Sequence, residues 1–164
     1  MAGLYRSREI EGELRRRLRE GERIIVLYGA RRVGKTTLVR HLLAAEGLRV
    51  LELSGDDLAV SQTLSSRDSA RLISMVSGYD IVFVDEAQRI PDIGVGLKII
   101  HDSLPAVKLI VTGSSTLDLA SRTREALTGC AWSFSLSPFS VEELSEGRNR
   151  FELERELEQR WPSG

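Results

Sequence analysis

The chain has 164 residues, of which 41% are hydrophobic, 29% charged and only 5% aromatic, with 23 basic residues against 24 acidic ones. That length suits one domain that buries about 68–70% of its unfolded surface without disulfides, and the mix excludes a disordered chain and any bulk charge pull toward nucleic acid or anionic membrane. A single cysteine, Cys130, excludes an internal disulfide framework and a multi-cysteine metal site, and His41 and His101 stand too far apart for zinc spacing.

The start, Met1 to Arg8, has no apolar core behind its charges and reads as no signal peptide. No apolar run approaches the ~20 residues that span a bilayer, so the expectation is a soluble cytoplasmic protein. Ile10, Leu14 and Leu18 recur every four residues among charges, which predicts an amphipathic helix ending at Gly21. Arg23–Tyr28 is a nearly continuous apolar run, the pattern of a strand buried on both faces. A Gly-rich turn, Gly29–Thr36, leads into a helix over Lys35–Glu46 with Leu38, Val39, Leu42 and Leu43 as its buried stripe. Arg49–Leu53 reads as a second strand, Asp56 and Asp57 suit a helix start, and Arg67–Val76 reads as a helix. Asp80–Val84 is a third buried strand, Ile93–Leu104 a helix stopping before Pro105, and Val107–Val111 a fourth strand. Leu117–Leu127 is mostly helical in pattern, Trp132–Leu136 a fifth strand, and Arg148–Arg160 a charged helix with Phe151, Leu153, Leu157 and Trp161 apolar nearby. Strands alternating with helices predict an α/β fold with a mostly parallel five-stranded sheet and helices on both faces. Ligands of such sheets bind at the carboxyl ends of the strands.

Chemistry concentrates at three of those ends. Gly29-Ala30-Arg31-Arg32-Val33-Gly34-Lys35-Thr36 matches G-x-x-x-x-G-K-[ST] in full, between a buried strand and a helix. Glycines let such a loop wrap closely, successive backbone N–H groups converge on a phosphate, and the helix N-terminus adds its positive end. Lys35 then suits the β/γ-phosphates, the Thr36 hydroxyl suits Mg²⁺, and Thr37 completes the loop. Ile81-Val82-Phe83-Val84-Asp85-Glu86 is a buried strand ending in two carboxylates; Asp85 suits a metal shell and Glu86 a water in line with the γ-phosphate. By itself the pair also fits a solvated turn. Thr112-Gly113-Ser114-Ser115 follows the fourth strand, where a hydroxyl can sense phosphate or its attacking water; Ser114 is the first choice and Thr112 the second, an ordinary polar turn being the other reading.

Taken in order, the phosphate loop with Arg32, then Asp85, Glu86 and Gln88, Pro91, Thr112–Ser115, Leu127-Thr128-Gly129 and Leu136-Ser-Pro-Phe-Ser140 resemble the AAA-like, archaeal-type ATPases that carry an uncharacterised C-terminal domain behind the ATPase module. The resemblance covers residues 5–146. Its first two motifs, the Walker A and Walker B patterns, are shared by many ATPases, and the last three point to this group. It implies a three-layer α/β/α P-loop NTPase of the additional-strand type, binding ATP or ADP with Mg²⁺. It also implies an N-terminal helix over 1–22, an ATPase core over 23–146 and a helix over 147–164 leading to a C-terminal domain, with Trp161-Pro-Ser-Gly164 as its lead-in. One departure stands out: Cys130 occupies the position where the family commonly has an arginine.

Arg122 and Arg124 follow the sensor turn, where an arginine can reach a γ-phosphate in the same or a neighbouring subunit; a solvated helix face carries such pairs equally well. Arg31 and Arg32 suit either phosphate or a further domain, or plain exposure. Arg15, Arg16 and Arg17 are offset by Glu11, Glu13, Glu20 and Glu22, so a nucleic-acid partner is not indicated. Tyr5 suits either adenine stacking or ordinary packing, and His41, His101 and Cys130 read as structural. The leading function is an Mg²⁺-dependent ATPase coupled to a C-terminal domain or partner, with a homo-oligomer possible in such a family. The alternatives are a nucleotide-gated interaction module without hydrolysis and a small-molecule kinase.

Overall fold

Five parallel strands form one sheet in the order β2-β3-β4-β1-β5. These are β1 Ile24–Gly29, β2 Val50–Ser54, β3 Ile81–Asp85, β4 Lys108–Gly113 and β5 Ala131–Leu136. The computed structural model describes residues 5–21, 24–114, 127 and 129–140. The central strands are buried on both faces, β1 and β3 in four consecutive residues each, because Ile, Val, Leu and Phe fill both sides of their pleat. All four strand pairings are parallel, in the register Ile24↔Leu109, Ile24↔Ala131, Val50↔Ile81 and Ile81↔Lys108.

Each face has its own apolar cluster. On one, α1 (Glu11–Arg19) and α2 (Lys35–Ala44) set Leu14, Leu18, Leu38 and Leu42 against Ile25, Leu27, Phe83 and Ile110. On the other, α3 (Leu58–Leu64), α4 (Ser69–Val76) and α5 (Ile93–Ser103) set Leu64, Leu72, Leu97 and Ile100 against Val26, Val82, Val84 and Val111. Alternate residues of one strand thus feed opposite layers, which makes the three-layer sandwich. β4 lies between β1 and β3, the additional strand that the resemblance implies.

One local reading needs correction. The helix expected over Arg67–Val76 begins at Ser69, because Asp68 caps it by accepting from Arg71 N–H and Arg67 has φ 56°. The helix start expected at Asp56 and Asp57 is that of α3, capped by Asp57, whose carboxylate accepts from the N–H groups of Ala59 and Val60. The expected helices over 117–127 and 148–160 lie outside the described residues, save the buried Leu127. No helix among the described residues is long and apolar enough to cross a membrane.

Candidate active site

The phosphate loop turns from β1 into α2 with Gly34 at φ 94°, a left-handed conformation that a side chain would strain. Arg31 and Arg32 are exposed, and Arg32 too is left-handed, at φ 65°. Val33 packs its side chain into the core, and its carbonyl accepts from Arg8. Lys35 is buried, its ammonium donating to the carbonyls of Gly29 at 2.9 Å and Ala30 at 2.8 Å. Burial pushes its pKa below the ordinary 10.5, with Arg31 pushing the same way, while Glu86 and Asp85 pull it up. A phosphate entering the loop would give that buried cation a charged partner in place of two carbonyls.

Residues 49 positions apart meet at the end of β3. Thr36 Oγ1 donates to Asp85 Oδ2 at 2.8 Å, and the Thr112 hydroxyl donates to Asp85 Oδ1. The same Oδ1 accepts from the Glu86 N–H at 3.0 Å. A threonine hydroxyl and a carboxylate side by side are hard oxygen donors, which fits Mg²⁺, an ion that takes one or two carboxylates and leaves its other positions to substrate phosphates and water. The described residues hold no cluster of three or more His, Cys, Asp or Glu that could bind a metal ion. Glu86, at φ 51° and ψ 39°, turns the chain into a single 3₁₀ turn, Ala87–Arg89. Its carboxylate accepts from the Gln88 amide, whose oxygen accepts in turn from the Ser114 N–H at 3.2 Å.

Of the two hydroxyl residues expected at the β4 exit, Thr112 places its hydroxyl on Asp85, and Ser114 enters the site through its backbone. Thr37 is exposed on the first turn of α2. Arg122 and Arg124 lie outside the described residues. Beside the loop is a cavity of about 330 Å³ whose lining includes Tyr5, Arg8, Gly34, Thr37, Leu38 and Phe139. Tyr5 stacks on His41, with ring centroids 3.6 Å apart, and donates its hydroxyl to Glu11 at 2.7 Å. Burial and the hydrogen bond to Glu11 push that hydroxyl's pKa up.

Arg8 is the residue that sequence reading missed. It is only 5% exposed, and its guanidinium donates to the Val33 carbonyl at 2.8 Å and the Ser137 carbonyl at 2.5 Å, with the Phe139 ring 4.0 Å away. A charged residue in a polar N-terminal stretch gives no local sign of a partner 129 positions on. The one available signal was the Leu136-Ser-Pro-Phe-Ser140 motif, which the fold sets against the phosphate loop. The basic run of α1 is spent on ion pairs: Arg15 with Glu11, Arg16 with Glu13 and Glu20, Arg17 with Glu13. Arg16 and Arg17 hold the Glu13 carboxyl down to about 2.

A parallel sheet with its additional strand between a phosphate loop and an acid pair defines a P-loop NTPase fold. An AAA domain family matches residues 21–145, and the chain belongs to that family. Uncharacterized proteins of Mycobacterium bovis (Mb2031c) and Mycobacterium tuberculosis (Rv2008c) are each 31% identical over 143 residues, covering 86% of this chain. The chain spans 31% of the length of these curated relatives. Among solved structures it is similar to the Pif1 helicase of Candida albicans, with TM-score 0.58 and 10% identity over 87% of this chain and 42% of that one. It is also similar to Pif1 helicase solved in a study of DNA unwinding at forked DNA, with TM-score 0.52 and 12% identity over 82% and 44%. At such identities the likeness is one of fold.

Proposed function

We propose that this domain is a cytoplasmic, Mg²⁺-dependent ATPase whose nucleotide state is read by a further domain or partner. The observation that carries the reading is the hydrogen bond from Thr36 to Asp85, which joins the phosphate loop to the acid pair at one edge of the sheet. Lys35 neutralises the β/γ-phosphates, and the loop's backbone N–H groups and the α2 N-terminus bind the rest of their charge. The base and ribose have room in the cavity lined by Tyr5, Arg8 and Leu38, beside Gly34. Thr36 and Asp85 would hold Mg²⁺, which when bound supplies positive charge against the phosphate oxygens. Thr112 keeps Asp85 aimed by bonding its second oxygen. Glu86, the next residue on, orients water and accepts its proton. Residues 23–146 form the ATPase core in this reading, and the greater length of the relatives supports an attached domain beyond it.

The test is binding of a fluorescent ATP analogue, with and without Mg²⁺, beside phosphate release. Lys35→Ala is expected to abolish binding, and Glu86→Gln to keep binding and cut turnover by about 10²–10⁴-fold. Binding that survives Lys35→Ala refutes the assignment. Binding without any phosphate release points instead to a nucleotide-gated module.

A further inference from the structure

Glu86 is held by a side chain that the phosphate and metal roles leave unused. Gln88 lies on the 3₁₀ turn directly after Glu86, and its two amide ends face different partners. Its Nε2 donates to Glu86 Oε2, and its Oε1 accepts from the Ser114 N–H at 3.2 Å. A backbone N–H can only donate, so the amide must turn its oxygen to Ser114 and its NH₂ to Glu86. The main chain at the exit of β4 therefore dictates what Glu86 receives: a hydrogen-bond donor on one oxygen. That bond fixes the plane of the carboxylate and leaves Oε1 to accept from water.

The backbone beneath this contact is fixed from the other side. Glu86 is left-handed at φ 51°, a conformation that costs energy in a residue with a side chain. Gly55, at the exit of β2, packs directly on it: a Cβ there would stand 2.3 Å from the Glu86 carbonyl oxygen. The Gly55 N–H donates to the Asp85 carbonyl at 2.8 Å, and Asp56 pairs with Arg89 at 2.6 Å. The turn carrying Glu86 is thus strapped to β2, and the aim of its carboxylate is left to Gln88. The end of β4 touches both acids, Asp85 through the Thr112 hydroxyl and Glu86 through Ser114 and Gln88.

We propose that Gln88 is the positioning residue for the water-orienting Glu86, and that through it the residue following β4 sets whether Glu86 is aimed for hydrolysis. This assignment rests on the ATPase reading above. It makes Gln88 a determinant of turnover with no part in nucleotide affinity, since its hydrogen bonds to Glu86 and Ser114 do not involve the phosphate loop.

The experiment is single-turnover hydrolysis of radiolabelled ATP by the whole chain, with affinity for a fluorescent ATP analogue and thermal melting measured in parallel. Gln88→Glu is nearly isosteric and still offers Ser114 an acceptor, but it sets a like-charged oxygen against Glu86. Gln88→Ala removes the bond outright. Both are expected to lower the rate about 10- to 100-fold, as misaligned catalytic groups do, with analogue affinity within about twofold of wild type. Adding Gln88→Ala to Glu86→Gln is expected to cost nothing further, because the carboxylate being aimed has gone. A purely structural role would lower affinity and melting temperature as well, and its effect would add to that of Glu86→Gln. A rate that depends on Glu86 but is unchanged or raised in both Gln88 variants overturns the positioning role alone. A rate that survives Glu86→Gln overturns the water-orienting reading and this inference with it.

Discussion

Truncating Arg8 to alanine tests whether the phosphate loop is held by the tertiary clamp seen here. The change removes two charge-assisted hydrogen bonds, to Val33 and Ser137, and the contact with Phe139. Bonds to charged groups are worth about 1.5–3 kcal/mol each, and a partly exposed cation–π contact about 0.5–1 kcal/mol. The guanidinium's own burial cost is recovered on truncation, which brings the expected loss to about 3–4 kcal/mol. For a domain of this size each kcal/mol lowers the melting temperature by about 2–4 °C, so a fall of roughly 10 °C is expected. Arg8→Lys keeps the charge but not the planar fork, cannot reach both carbonyls, and should fall about halfway. The assay is thermal unfolding followed by circular dichroism, paired with titration of a fluorescent ATP analogue. Affinity should fall as well, because Arg8 fixes the Val33 carbonyl inside the phosphate loop and lines the adjoining cavity. A melting shift under about 2 °C in Arg8→Ala refutes the clamp, since that corresponds to less than one neutral hydrogen bond.

Two further outcomes follow from the geometry. In Gly29→Ala the new Cβ would stand 2.5 Å from the Leu136 carbonyl oxygen, backbone that β1 and β5 cannot move without breaking their pairing, so a stability loss of at least about 1–3 kcal/mol is expected in urea titration; wild-type stability would show that the strands do not approach so closely. Burial lowers the Lys35 pKa in the folded chain, so the unfolded chain holds the extra proton, and this group's contribution to stability is complete above pH 10.5 and lost as pH falls through the folded value. Without nucleotide, Lys35→Met should therefore gain relative to wild type as pH falls below 10.5, read from urea midpoints across about pH 8–11; a difference independent of pH would contradict a depressed lysine.

Local pattern carried much of this fold. The buried strands announced themselves as short apolar runs, and observed ends differ from expected ones by a residue or two: Ile81–Asp85 against Asp80–Val84, Lys108–Gly113 against Val107–Val111. The start of α3 was legible in its Asp57 cap, whereas its extent was not, because Leu58–Leu64 is only seven residues long and too short to show a helical period. The start of α4 was misplaced because propensity alone does not mark which polar residue becomes the cap.

The phosphate-loop motif, the acid pair and the alternation of strands and helices are each written in neighbouring residues, and the order of such motifs along the chain carries the family resemblance. Local pattern alone did not give which strands lie side by side, which only the family resemblance implied, since crossover helices of similar length can return a parallel strand to several places in a sheet. Tertiary structure decided that β4 lies between β1 and β3, and this alone brings Thr112 onto Asp85 and Ser114 to Gln88. It decided too that Arg8 joins segments 25 and 129 residues away, a pairing that leaves no local trace because a guanidinium buried against two carbonyls reads, in sequence, like any solvated arginine.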